Sequence, residues 1–221
     1  MSYEWAKERP VEYRLIRQLE GLGYTYLPGS ALDSERASHR DVVLEGRLRR
    51  AIQRLNPWID DINLHKVVRM VTHINAASTM EANEKFYDMV ENYVSIQQDL
   101  GKGKKSQTVK LIDFDNPDNN EFLVVNQLKI SGPMTTIIPD VVLFVNGLPL
   151  VVIECKSPTK PHPISEAVQQ LLRYQQEAER LFHYNHVVIA TCNEQAKFGS
   201  IGARLRHFGE WKDPYPFKVS D

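Results

Sequence analysis

The sequence predicts an α/β domain: a mixed β-sheet flanked by helices, with a helical insertion near the front. Three observations carry that expectation. Apolar residues follow a helical period to about residue 98, a strand period from 108 to 155, and a helical period again over 164–182. An apolar strand then closes the pattern, so strands and helices alternate as in a layered α/β fold. The 221 residues, 42% of them hydrophobic, suffice for one well-buried domain with an appendage.

Each element has its own signal. Residues 10–23 carry Val11, Leu15, Ile16, Leu19 and Leu22 on one helical face, begun by Pro10 and ended by Gly23. A short strand over 24–27 follows, and the polar segment 30–40 reads as loop. The insertion spans about 41–98, helical throughout and interrupted at Asn56-Pro57 and at Ala76-Ala77-Ser78. Residues 99–107, DLGKGKKSQ, read as a flexible basic turn. Strands are expected over 108–114 and 122–130 around a turn at 116–120. Two more, 140–145 and 150–155, flank Asn146-Gly147. A helix over 164–182 leads to a strand over 187–191. The tail WKDPYPFKVSD is rich in proline and charge, so the domain is drawn at 1–211 with a linker at 212–221.

Composition narrows the function. With 27 basic and 28 acidic residues the formal charge is −1, which gives little non-specific attraction to phosphate. That argues against a free-standing DNA binder, though not against a nuclease gripped to DNA by other domains. Cys155 and Cys192 form neither a disulfide framework nor a zinc pattern. The sequence has no apolar leader and no stretch of membrane-spanning length, so no membrane partner is expected and the cytoplasm is the expected compartment.

The chemistry-bearing stretch is Pro139-Asp140 followed by Glu154-Cys155-Lys156. Glu154 and Lys156 are two apart at the end of the apolar run 150–153, so they share one face of a strand. Charges at the end of a buried strand are costly unless paired or bound to metal. Two carboxylates suit Mg²⁺, a hard ion that prefers oxygen ligands, and the Cys155 backbone carbonyl would add a third donor. Phosphodiester hydrolysis fits this set: the metal offsets charge on the phosphate, and the lysine orients water or steadies the pentavalent phosphate. The plain alternative is a Glu–Lys surface pair on an ordinary strand. Gln170 and Tyr174, one turn apart on the following helix, and Glu12 in the first helix are candidate accessory residues.

Metal sharing also constrains the hairpin. Asn146-Gly147 suggests a two-residue turn pairing Val145 with Leu148. Continued regularly, that register sets Asp140 against Ile153 and turns it away from Glu154. A one-residue shift is therefore expected, from a bulge or from a three-residue loop that includes Leu148 and pairs Val145 with Pro149. Either shift sets Asp140 across from Glu154.

The block IDFDNPDNNEFLVVNQLKI (112–130) with PDVVLFVNGLPLVVIECKSP (139–158) resembles the N-terminal nuclease domain of type I restriction enzyme R subunits, of the RecB-like PD-(D/E)xK superfamily. The 170–174 segment, QLLRY, matches that branch's QxxxY motif. GLGYTYLPG, LEGRLRRAIQRLNP and LFHYNHVVIATCNE extend the likeness over nearly the whole chain. The resemblance implies a restriction-endonuclease-like core and a Mg²⁺-dependent endonuclease that cuts double-stranded DNA non-specifically after ATP-driven translocation. Asp140, Glu154 and Lys156 would be catalytic, Gln170 and Tyr174 would support DNA binding or site geometry, and Glu12 would be an accessory acid. The implied partners are DNA and the methyltransferase and specificity subunits. Family R subunits continue into helicase-like motors, so the chain reads as a fragment. GKGKKS (101–106) lacks the spacing of a phosphate loop, which leaves ATP to those motors.

Three rivals remain at this level: a non-catalytic module docking onto the methyltransferase complex, a stand-alone repair or recombination nuclease of the same superfamily, and a metal enzyme using His183, Tyr184, Asn185 and His186.

Overall fold

The computed structural model describes residues 5–101 and 103–210. The chain opens with helix α1 (Trp5–Gly21) and strand β1 (Thr25–Pro28), followed by a 3₁₀ turn, Gly29–Ser34. Helices α2 (Glu45–Leu55), α3 (Asp61–Thr72) and α4 (Thr79–Glu91) form the insert, which ends in a hairpin, β2 (Val94–Asp99) and β3 (Lys104–Val109). Strand β4 (Phe122–Asn126), the small hairpin β5 (Ile130–Ser131) and β6 (Thr136–Ile137), and strands β7 (Val141–Val145) and β8 (Leu148–Cys155) come next. Helices α5 (Pro163–Glu177) and α6 (Glu179–Phe182) lead to β9 (Val187–Thr191), β10 (Ala196–Gly199) and β11 (Gly209–Glu210).

One seven-stranded sheet, ordered β1-β4-β7-β8-β9-β10-β11, carries the molecule. The pairs β1–β4 and β8–β9 are parallel and the other pairs antiparallel, so the sheet is mixed, as expected. Strand alternation sends side chains to two cores. Val124, Val141, Leu143, Ile153 and Cys155 face α1, which buries Val11, Ile16 and Leu19 against them. Each of those three helix residues contributes about 2 kcal/mol of apolar burial. On the other face, Val125, Val142, Phe144, Val152, Val188 and Ala190 pack with Val168, Leu171 and Phe182 of α5 and α6 and with the insert.

The insert's helices begin where the sequence breaks. Asp60 caps α3 by accepting the Asn63 backbone N–H at 2.8 Å, and Ser78 caps α4 by accepting that of Glu81 at 3.2 Å. Glu81 reaches back to the Ala77 N–H, closing the start of the helix.

Several boundaries differ from expectation. Pro10 lies inside α1 rather than at its start. A proline this near the N-terminus removes a single intrahelical bond, so the helix extends ahead of it. Leu22 falls beyond the helix end and is exposed. Residues 94–98 are strand, not helix, and of the expected basic turn at 99–107 Asp99 ends β2 and 104–107 begin strand β3. Their alternation was hidden because the third inward position is Gln98, buried beside Val94 and Ile96 and bonded to the Trp58 carbonyl at 2.6 Å. The expected strand at 108–114 gives way after Val109 to irregular chain, and the one at 122–130 stops at Asn126, where Gln127 takes a φ of +52°. The helix at 164–182 divides at Ala178. Strands β10 and β11 follow the last expected strand. The expected linker, 212–221, lies outside the described residues.

At the β7–β8 hairpin, Asn146 and Gly147 both have positive φ, +52° and +82°, as a two-residue turn requires. Val145 pairs with Leu148 and Phe144 with Pro149, but Leu143 pairs with Val151. Leu150 is left without a partner as a β-bulge. The one-residue shift therefore comes from the bulge, and the three-residue loop is not formed. The tight turn survives because Asn146 is locked by its own buried hydrogen bonds, while the proline beside the bulge has no N–H to give to a ladder.

Candidate active site

The shifted register pairs Val141 with Ile153, and its next step sets Asp140 against Glu154. Asp140 Oδ2 accepts the Cys155 backbone N–H at 2.8 Å, which ties the end of β7 to the end of β8. Lys156 continues past β8 and donates its backbone N–H to the Thr191 carbonyl at 2.9 Å, holding the site to the parallel strand β9. Its Nζ lies 2.5 Å from Glu154 Oε1 and 3.3 Å from the Cys155 carbonyl. The three expected residues are thus brought together, with the Cys155 carbonyl beside them.

The setting is poor in water. Glu154 is 1% exposed and Lys156 5%. Glu154 Oε2 is buried with no hydrogen-bond partner among the described residues. Burial first, and then the neighbouring Asp140, push the Glu154 carboxyl well above the usual carboxylate range, against the pull of Lys156. Burial also raises Asp140, opposed by the Cys155 N–H and by Lys156. Two desolvated carboxylates share one lysine, and one oxygen is left over.

That arrangement fits a hard cation. The donors are the Asp140 and Glu154 carboxylates and the Cys155 carbonyl, all oxygen. Among the described residues, no group of three or more His, Cys, Asp and Glu side chains could hold a metal, so a cation here would need the main-chain oxygen as well. The Cys155 thiol is buried toward α1, and burial pushes its pKa well above the ordinary value. It is an inert core group.

The accessory residues sit one step back. Gln170 Nε2 donates to the Tyr174 hydroxyl at 2.5 Å, and that hydroxyl donates to the Ile138 carbonyl at 3.3 Å. The pair props the segment that enters Asp140. Glu12 reaches the site only through an amide. Its Oε2 accepts from Gln127 Nε2 at 3.0 Å, and the same nitrogen donates to Asp140 Oδ1 at 3.1 Å. Its Oε1 accepts from Asn126 Nδ2 at 2.5 Å. Asn126 and Gln127 were missed by residue-level reasoning; two consecutive amides at the end of the apolar run 122–125 were the available signal.

His183 and His186 form no ligand set. The His186 ring packs against Phe86 and Tyr87, and burial lowers the pKa of both histidines. Their turn is where the insert docks: Asn83 Nδ2 donates to the carbonyls of Phe182, His183 and Asn185.

A seven-stranded mixed sheet flanked by helices, with Asp140 just before β7 and Glu154 and Lys156 at the end of β8, has the make-up of a PD-(D/E)xK-like α/β fold. The chain belongs to the family described as type I restriction enzyme R protein N terminus, which matches it over residues 6–207. The putative type I restriction enzyme MjaIXP endonuclease subunit of Methanocaldococcus jannaschii is 33% identical over 210 residues, covering 91% of this chain and 20% of that protein. The type I restriction enzyme HindI endonuclease subunit of Haemophilus influenzae is 32% identical over 212 residues, covering 93% and 20%. The chain therefore spans about one fifth of the length of these relatives. Among the described residues, no helix is long and apolar enough to cross a membrane.

Proposed function

We propose that this chain is the Mg²⁺-dependent DNA endonuclease domain of a type I restriction-modification R subunit. The observation that carries the reading is the buried, unpartnered Glu154 Oε2 beside Asp140, in a chain of this family. Asp140, Glu154 and the Cys155 carbonyl would hold the cation. Bound there, Mg²⁺ supplies positive charge against the charge that develops on the scissile phosphate. Asp140 is kept in place by the Cys155 N–H, so it needs no reorganisation when substrate arrives. The Lys156 side chain lies in a low-dielectric setting, where a positive charge attracts a phosphate oxygen more strongly than in water. Gln170 and Tyr174 hold the 138–140 segment against α5.

In this reading DNA is cut without sequence preference, after ATP-driven translocation by motor domains elsewhere in the parent protein. Site choice falls to the specificity and methyltransferase subunits, and the setting is the cytoplasm. Lys104, Lys105 and Arg173 are basic groups available for DNA contact, and Lys102 lies outside the described residues. Lys104 and Lys105 lie on β3, whose partner strand packs against α3, and Arg173 pairs with Glu177. With a formal charge of −1, the domain by itself binds duplex DNA weakly.

The test is Asp140→Ala in the complete R subunit assembled with its methyltransferase partners. Loss of cleavage with ATP hydrolysis retained is expected, and chelation should mimic the loss. Normal cleavage by that variant would overturn the reading.

A further inference from the structure

Gln127 stands just past β4 with a φ of +52°, a backbone conformation in which side-chain-bearing residues are uncommon. Strain of this kind persists only where surrounding contacts enforce it. Three contacts do so here. The Gln127 backbone N–H donates to the Asp140 carbonyl at 3.0 Å. The side-chain amide nitrogen donates to Asp140 Oδ1 at 3.1 Å and to Glu12 Oε2 at 3.0 Å. Gly29 makes the conformation possible: a Cβ there would lie 2.5 Å from the Gln127 carbonyl oxygen and 2.8 Å from that of Asn126.

Glu12 is itself fixed. Asn126 Nδ2 donates to its other oxygen, and the Asn126 side-chain oxygen accepts from the Tyr26 hydroxyl at 3.0 Å. The result is a chain of side chains running from β1 through α1 and β4 to Asp140. One amide nitrogen separates two carboxylates that would otherwise repel each other.

We infer that Gln127 is a positioning residue: aimed by Glu12, its amide sets the orientation of the Asp140 carboxylate and thereby the affinity of the site for a divalent cation. Asp140 is then gripped at both oxygens, Oδ1 by Gln127 and Oδ2 by the Cys155 N–H, which fixes the plane of its carboxylate. Outer groups that orient a ligand typically change metal affinity by about 10–100-fold when removed. Glu12 acts on the cation through this amide rather than as a ligand, because its oxygens are occupied by Asn126 and Gln127.

This inference rests on the nuclease reading, and the experiment separates the two. Mn²⁺ binding to the complete R subunit, free of nucleotide, is followed by the loss of the free-ion EPR signal. The component absent from Asp140→Ala is assigned to this site. Gln127→Gly removes the amide and also tolerates positive φ, so it relieves strain rather than adding it. Gln127→Asn tolerates the same backbone but is one methylene short of Asp140. Both variants should bind Mn²⁺ at this site about 10–100-fold more weakly, with ATP hydrolysis unchanged. Glu12→Ala should weaken binding in the same direction. If Gln127→Gly binds Mn²⁺ as the parent does, whether or not its melting temperature moves, the residue is merely structural and the inference fails. If Asp140→Ala retains both Mn²⁺ binding and cleavage, the underlying site assignment fails instead.

Discussion

The Lys156 ammonium lies 2.5 Å from Glu154 Oε1, and both side chains are shut away from solvent. The two come from alternate positions of one strand end, so they meet without any adjustment of the fold. A buried pair of this kind adds little net stability, but losing one member leaves the other uncompensated.

Lys156→Ala should abolish cleavage and make stability depend more steeply on pH. Glu154 already holds its proton well above the usual carboxylate range, and loss of the lysine raises that point further. The folded variant then keeps a proton that the unfolded chain releases in the ordinary carboxylate range, so stability falls as pH rises through the raised value. Urea denaturation should show a loss of about 3 kcal/mol at pH 8 and a smaller one at pH 5. Equal losses at both pH values would show that the pair is not coupled.

Divalent cation should raise the thermal midpoint, and more so at pH 8 than at pH 5. Protons and the cation compete for the same two raised carboxylates, so binding strengthens as the protons leave. Glu154→Gln should remove most of the stabilisation. A midpoint that rises equally with Mg²⁺ in that variant would place the effect elsewhere in the protein.

A third prediction concerns acid. His186 packs with Phe86 and Tyr87, and burial holds its pKa below the ordinary value. The unfolded chain takes up a proton at about pH 6.5 and the folded chain only lower. Stability is therefore full above that range and is lost as pH falls from it through the lowered folded value. Burial gives His183 the same sign. In His186→Phe the acid limb of a midpoint–pH curve should flatten, with the contribution of His183 retained.

Asn146→Ala should destabilise the domain by about 3 kcal/mol. The side chain donates to the Leu111 carbonyl and to Asn120 Oδ1, and its oxygen accepts from the Glu121 N–H and from Arg54. Alanine deletes these bonds and also resists the positive φ. Gly147→Ala should cost a similar amount, because its Cβ would lie 2.6 Å from the Leu44 carbonyl oxygen. A change below about 1 kcal/mol in either variant would contradict the role of this turn.

Where side-chain pattern alone decides structure, the sequence was readable. The apolar stripe of α1, the run of β9 and the breaks between α2, α3 and α4 each fall near the expected residues. Where a polar residue does the work of an apolar one, reading failed: Gln98 fills an inward strand position by satisfying its amide on the insert. The last two strands, β10 and β11, are short, with Lys197 and two glycines among six residues, so they carry no alternation. At the candidate site, the shared face of Glu154 and Lys156 was legible because they stand two apart on an apolar strand, whereas the place of Asp140 opposite Glu154 depends on the register shift in the hairpin. Asn126 and Gln127 were not legible, because their roles depend on a positive φ and on a partner, Glu12, more than a hundred residues away in the chain.

The bulge at Leu150 ties turn and site together by parity. Successive strand residues face opposite ways, so the hairpin cannot gain or lose one residue between Phe144 and Leu150 and keep both of its ends correctly turned. A single-codon deletion there inverts either the buried turn or the acidic end, and a second, compensating change of one residue restores the match. Length variation in this hairpin should therefore arise in matched pairs. A library of one- and two-residue insertions, scored for folding and for cleavage, would show the two properties separating at odd lengths and rejoining at even ones.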